Sequence, residues 1–248
     1  MEEKKTTVRA AERALDILLC FIKKSELSLT EIARLTSLNK STVYRLLGTL
    51  EGKGFLIRNQ ETDKYRLGFR IWELSANLTQ SGDPAVLFLP EMERLRDAVG
   101  ETVSLYVRDG IERIRVQTAE SKQTIRRVAP VGMRMSLAVG ASSKVLVAYA
   151  EEQVQKELLQ NIEWPDSVDR ASYIAQLKEI RQKGYATSVE EREPGTSAVA
   201  VPVFNRSGEI IAALAVSGPV GRLTEDQMIR FLPQVMEAAE RMGKMILK

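Results

Sequence analysis

This 248-residue sequence predicts an α+β fold in two parts: an N-terminal winged helix-turn-helix and, beyond a linker helix, a larger domain on an antiparallel sheet. Three observations predict it. Residues 27–67 read as helix, turn, helix and charged hairpin. Later segments place adjacent hairpins between helices, as an antiparallel α+β domain requires. Finally, residues 1–70 carry 14 Lys or Arg against 9 Asp or Glu, whereas the remainder carries 22 against 24, so the basic excess lies wholly in the first part.

Residues 1–8 form a charged arm, and residues 10–22 an apolar helix able to pack across the helix-turn-helix. Ser28 and Glu31 have the spacing of a capping box, and Leu29, Ile32 and Leu35 recur behind them as a buried stripe. Ser37 to Asn39 break this helix. In the next, Val43, Leu46, Leu47 and Leu50 fall at i, i+3, i+4 and i+7, with Ser41, Arg45 and Gly48 opposite. Gly54 suits a left-handed cap. Residues 55–58 and 64–67 then read as two strands around a polar tip at 59–63, a basic wing. Residues 69–78 form an amphipathic helix carrying Ile71, Trp72, Leu74 and Leu78, before Asp83-Pro84 restarts the chain as N-cap and first helical residue. The expected division is residues 1–68, winged helix; 69–83, linker helix; 84–248, second domain.

In the second domain Leu89, Met92, Leu95 and Val99 mark a helix ended by Gly100. Residues 102–107 and 111–118 read as strands joined by Asp109-Gly110, residues 126–137 as extended, and 142–150 and 173–183 as helices. Residues 198–204 and 209–216 flank a turn at 205–208. Thr224 and Gln227 cap a last helix with Ile229, Leu232, Met236 and Ala239 as its expected core face.

Chemistry is limited by what is missing. There is no His and a single Cys, Cys20, so no Ser-His-Asp triad, Cys-His pair or Cys/His zinc site can be assembled. Cys20, within an apolar run, reads as a small buried hydrophobe. No cofactor or metal is implied. With no signal peptide and no apolar run of membrane-spanning length, a soluble, cytoplasmic protein is expected. Lys40, Ser41, Thr42, Tyr44 and Arg45 crowd the first turns of the second helix of the helix-turn-helix, where amides and hydroxyls take phosphates and Arg reaches base edges. With Arg58, Lys64 and Arg66 of the wing they form the expected surface for double-stranded DNA.

Other features read more plainly. Residues 140–144, GASSK, lack the two-glycine spacing of a phosphate-binding loop; they either present backbone amides of Ala141 and Ser142 to a carboxylate or simply pack closely. Glu190, Glu191 and Glu193 read as a solvated acidic edge and Arg126 and Arg127 as an exposed pair, with Arg127 placed to meet an acidic ligand. The methionines of the last helix read as core or interface.

Over nearly its whole length the chain resembles the IclR-type bacterial transcriptional regulators. The segment SLTEIARLTSLNKSTVYRLLGTLEGKGFL is close to that family's helix-turn-helix, and KYRLG before a linker helix is typical of it. Gly132, Leu137 and Lys144 followed by VLVAYA, then Gly184, Tyr185, Glu190, Glu191, Gly195, Ala200, Pro202 and Val203, and finally AALAVSGP at 212–219, match its C-terminal pattern.

The resemblance implies a GAF/profilin-like effector domain with a ligand site on a curved antiparallel sheet, assembly as dimers or dimers of dimers, and control of operons that degrade small acids. It departs at the pocket. Ser143 stands where glycine is usual before Lys144, and Ser188, Ala198 and Ala215 stand where acid-binding members often have Asp, Cys and Ser, with Ser217 the matching hydroxyl. The expected effector site is Met135, Ala141, Ser142, Ser188, Ala198, Ala215 and Ser217, holding a compact carboxylate with an apolar body. The expected function is a ligand-responsive regulator on a pseudo-palindromic operator. The alternative is a constitutive DNA-binding protein whose second domain only oligomerises; an enzyme docked through a winged helix lacks a base, nucleophile or metal set.

Overall fold

The structure, a computed structural model, describes residues 8–22, 24–80, 84–128 and 130–246, the side chains of 76–80 excepted. The arm before Val8, the cap at Asp83 and the Leu78 side chain therefore lie outside the described residues. The chain divides into two units, Met1–Ser81 and Gly82–Lys248.

In the first unit α1 (Arg9–Leu19) runs into a 3₁₀ turn, followed by β1 (Leu27–Ser28), α2 (Leu29–Thr36), α3 (Lys40–Gly52), β2 (Leu56–Arg58), β3 (Lys64–Leu67) and α4 (Phe69–Gln80). The capping box forms: the Ser28 hydroxyl accepts from the Glu31 amide at 3.3 Å, and the Glu31 carboxylate accepts from the Ser28 amide at 2.9 Å. Leu35, expected on the buried stripe, is exposed instead; Ile32 and Ala33 take the core positions, because the helix stops at Thr36 and Ser37 turns left-handed at φ 56°. Val43, Leu47 and Leu50 bury one face of α3 against Ile17, Ile32 and Leu56. Gly54 has φ 76°, and the Phe55 amide closes the helix end on the Leu50 carbonyl at 2.9 Å. β1, too short to carry a sequence pattern, pairs with β3 in a sheet of order β1-β3-β2. Cys20 is half-buried and free rather than fully buried.

In the second unit α5 (Pro84–Leu87) and α6 (Leu89–Val99) precede β4 (Thr102–Asp109), β5 (Glu112–Ala119) and β6 (Arg134–Ser136). Then come α7 (Ala141–Ala148), α8 (Glu152–Asn161), α9 (Arg170–Lys183), β7 (Ala186–Val189), β8 (Thr196–Phe204), β9 (Ile210–Pro219) and α10 (Glu225–Met245). The six strands form one antiparallel sheet, β6-β5-β4-β9-β8-β7. Of residues 126–137, expected to be extended, only Arg134–Ser136 pair as a strand. α8 and β7 are additional to the elements expected from the sequence.

The sheet carries a helical layer on each face. Val199, Val201, Val203, Leu214 and Val216 point to one side and join α6 and α10 in a core; each such side chain, fully buried, contributes about 1.5–3 kcal/mol. On the other side Ala200, Ala213 and Ala215 are small, so α7 approaches the strands closely, and α9 packs against α7. The last helix turns slightly from the expected register: Ile229 is exposed, and Met228, Leu232, Val235 and Met242 form its buried face.

Candidate nucleic-acid interface and ligand cavity

In the first unit α3 presents to solvent the face opposite its core stripe. Lys40, Ser41, Tyr44 and Arg45 are exposed, and no acidic residue lies in the first turn. Asn39 precedes the helix in an extended conformation without its side chain accepting a first-turn amide, so these donors remain available to phosphate. Thr42 is half-buried beside α1, in a shallow groove with Ala10, Arg13 and Leu46. Lys64 and Arg66 stand exposed on one side of β3 while Tyr65, between them, is buried. Arg58 differs: its guanidinium pairs with Asp63 at 2.8 Å across the hairpin and stacks on Tyr65, so part of its charge is already satisfied within the wing. The same unit exposes large apolar side chains, notably Phe69 (75%) and Trp72 (69%) on α4 and Leu15 and Leu19 on α1.

In the second unit strand register gathers residues that are far apart in sequence. Ser188 lies opposite Ala198, and Ala198 opposite Ser217, so three neighbouring strands set them in one row. Ala215 sits two residues along β9 from Ser217, on the same face. Above this row lies the N-terminus of α7, with Ala141 and Ser142. These six expected residues border one cavity. Met135 does not. It is buried in the core beneath α7, its sulfur against the Arg192 side chain, because β6 pairs at the sheet edge and turns Met135 inward.

The cavity is far more cationic than the expected apolar wall. Arg113 enters it from β5, 3% exposed, and donates to the Ser142 hydroxyl at 2.8 Å while lying 5.1 Å from the centre of the Tyr106 ring. Burial pushes the Arg113 pKa down to about 10, still above neutrality. Burial alone would raise the Tyr106 phenol; Arg115 and Arg113 outweigh that, and the net shift is downward. Gly140 has φ 94° and leaves room for this cation: a Cβ there would stand 3.1 Å from an Arg113 Nη atom. The Arg113 Nε and the Ser217 hydroxyl are buried without hydrogen-bond partners among the described residues.

The acidic edge is not simply solvated. Glu193 accepts two hydrogen bonds from Arg127, at 2.8 and 3.1 Å, and another from Arg192 at 2.6 Å. Burial tends to raise the Glu193 carboxyl, and these two arginines outweigh it and hold it below its ordinary value. Glu191 accepts from the Gly140 amide at 2.9 Å and pairs with the buried Lys144 at 2.6 Å. Side chains from both sides therefore close the mouth, and the enclosed space is about 40 Å³, room for water but not for an organic acid.

Sequence reasoning missed Tyr106, Arg113 and Arg192. The available signal was Arg113 and Arg115 at i and i+2 of one strand, which places both on one face. Read alone, Ile114 and Val116 take the inner face and the arginines go to water. A sheet covered on both faces buries the arginines as well. A larger groove of about 550 Å³ lies at the other end of β8, beside Phe204, Met236 and Gly243. It is mostly apolar, and its Lys244 is paired with Glu240, so it offers an anion no unsatisfied buried donor. The smaller cavity is the better ligand candidate on chemistry, despite its size. Among the described residues, no group of three or more His, Cys, Asp or Glu is arranged to hold a metal, and no helix is long and apolar enough to cross a membrane.

Two family descriptions match the chain: the IclR helix-turn-helix domain over residues 10–60, and the C-terminal region of bacterial transcriptional regulator IclR over residues 78–244. The HTH-type transcriptional regulator XynR of Escherichia coli K12 is 33% identical over 240 residues, covering 93% of this chain and 94% of its own. The HTH-type transcriptional regulator BhcR of Paracoccus denitrificans is 32% identical, covering 95% of this chain and 86% of its own. Among solved structures, an IclR homologue from Microbacterium hydrocarbonoxydans complexed with 4-hydroxybenzoate is 25% identical with a TM-score of 0.83, over 94% of this chain and 97% of its own.

Proposed function

This chain belongs to the IclR family of bacterial transcriptional regulators, and we propose from that premise that it binds a pseudo-palindromic operator whose occupancy responds to a small organic acid. In this reading α3 enters the major groove with Lys40, Ser41, Thr42, Tyr44 and Arg45, while Arg58, Lys64 and Arg66 of the wing meet the adjacent backbone. One short helix reads too few bases for genomic specificity, so two copies act together, as a dimer or a dimer of dimers. The exposed apolar residues of α1 and α4 supply a surface for that pairing. The protein acts by binding and not by catalysis, in keeping with the regulators it resembles, and the regulated genes encode breakdown of the acid or a relative of it.

The observation that carries the effector reading is Arg113: a guanidinium buried at the N-terminus of α7 with no carboxylate partner among the described residues. A buried charge without a counter-charge is costly, and a cation beside the positive end of a helix dipole adds to that cost. An acid bound there relieves both. The homologue that holds 4-hydroxybenzoate supports an organic acid as the ligand class. The closed state of the cavity favours one second reading, constitutive DNA binding by a protein whose second domain only oligomerises. Operator binding measured by fluorescence anisotropy against a panel of sugar, short-chain and aromatic acids, with thermal shift in parallel, separates them. An acid that both stabilises the protein and changes operator affinity is expected; if none in the panel does either, the constitutive reading stands.

A further inference from the structure

We propose that the cavity is built for a compact dicarboxylate, whose first carboxylate pairs with Arg113 and whose second takes Arg192 from Glu193 and leaves Arg127 to it. This rests on the reading of the cavity as the effector site and adds the charge of the ligand.

The argument begins with partners. Four cationic side chains line the cavity or pair with a carboxylate beside it, Arg113, Arg127, Arg192 and Lys144, against two carboxylates, Glu191 and Glu193, while Arg115 stands behind Tyr106 and donates to its hydroxyl. Lys144 has Glu191 to itself. Arg127 and Arg192 share Glu193, and one oxygen, Oε1, accepts from both. Arg113 has none, its only described hydrogen bond going to the neutral Ser142 hydroxyl. Two positive charges thus remain unmatched in two places, one deep and one at the mouth. A single carboxylate answers only one of them.

The two places differ in kind. The deep position is a built anion site: Arg113 Nε and the Ser217 hydroxyl are buried without partners among the described residues, and the first turn of α7 adds backbone donors. The mouth position is already shaped for a carboxylate, because a carboxylate, Glu193, occupies it and takes Arg127 in two-point fashion. A ligand carboxylate there gives Arg127 and Arg192 one acceptor each where they now divide one. Since the present space holds no acid, binding has to move Arg192 off Met135 and Glu193, and the second carboxylate compensates for the contacts that movement breaks.

Isothermal titration calorimetry on the full chain tests this with acids matched in length: succinate against butyrate, glutarate against valerate, phthalate against benzoate. At least one dicarboxylate should bind about 10-fold or more tighter than its partner, the size expected of an added charged hydrogen-bonded contact. Arg192→Gln should bring that ratio towards one while monocarboxylate binding persists. Glu193→Gln, which removes the resident competitor, should raise the ratio. Arg113→Gln should weaken both classes; melting that matches the parent shows that variant is folded, and the two mouth variants carry the test without it. Monocarboxylates binding as tightly as their dicarboxylate partners, or a preference untouched by Arg192→Gln, would overturn the dicarboxylate proposal and leave the acid-binding reading standing. Absence of binding by every acid in both classes, together with an unresponsive operator complex, would remove both.

Discussion

The two units handle positive charge in opposite ways. In the first, Lys40, Arg45, Lys64 and Arg66 stand in water on elements whose other faces are apolar core, and they lie close together in sequence. In the second, Arg113, Arg127 and Arg192 come from separate segments and converge on an enclosed space, where the half-exposed Glu193 holds Arg127 and Arg192 and the Tyr106 ring faces Arg113. The difference fits the anions proposed for the two units. DNA is a polyanion with its charge on the outside, so cations that meet it do best when fully hydrated and mobile until contact. A small acid must be taken out of water, so its partners have to be desolvated and oriented beforehand, and they are then under tension without it.

That contrast predicts where substitutions act. The largest effect belongs to the scaffold of the exposed surface: Leu47→Ala, at a position with no exposure, should destabilise the first unit by about 2–5 kcal/mol and abolish operator binding. Chemical denaturation followed by separate probes in each unit should show the second transition unmoved. Gly140→Ala acts on the enclosed site instead. Its backbone, φ 94° and ψ 153°, lies in a region other residues adopt at a cost of about 1–3 kcal/mol, and the new Cβ would press on Arg113. Weaker acid binding with unchanged operator affinity of the acid-free protein is the expected result; a loss of DNA binding would blur the distinction between the units.

Within the exposed surface, Arg45→Ala should cost about 1–3 kcal/mol and relax base preference if Arg45 reads a guanine, whereas Lys64→Ala should weaken every sequence alike and lower the salt slope by about one. Titrations of matched and scrambled operators over a salt series distinguish the two. The smallest effect sits at the entrance to α2. Ser28→Ala removes a capping interaction of about 1 kcal/mol. Its partner Glu31 is held at about 2, below its ordinary 4.5, chiefly by the Ser28 amide and also by Lys24. A carboxylate depressed on folding adds stability above its unfolded value and loses it as pH falls through the folded one, so the difference between parent and Glu31→Gln, which cannot ionise, should shrink between about pH 4.5 and 2. Thermal melts across that window measure it.

The sequence by itself determined the winged helix almost element by element, because everything that specifies it is local. A capping box spans four residues, a helical stripe repeats every three or four, and a left-handed glycine sits where the helix ends; each constraint acts on its neighbours and can be read there. Where local reading slipped, at Leu35 and Ile229, a helix end or a small turn in register decided which apolar residue met the core. Ser188, Ala198 and Ser217 are grouped in the sequence only through the resemblance; that they share one row is decided by the pairing of three strands, which no spacing within the chain relates. What only the tertiary structure decided is the character of the cavity. Arg113 lies 29 residues from Ser142, and Arg127 lies 66 from Glu193, and nothing in either neighbourhood distinguishes these arginines from surface ones. Arg113 is buried because helices cover both faces of the sheet, and Arg127 is half-buried because the chain brings Glu193 to it from another segment; both are properties of the packed chain rather than of any strand within it.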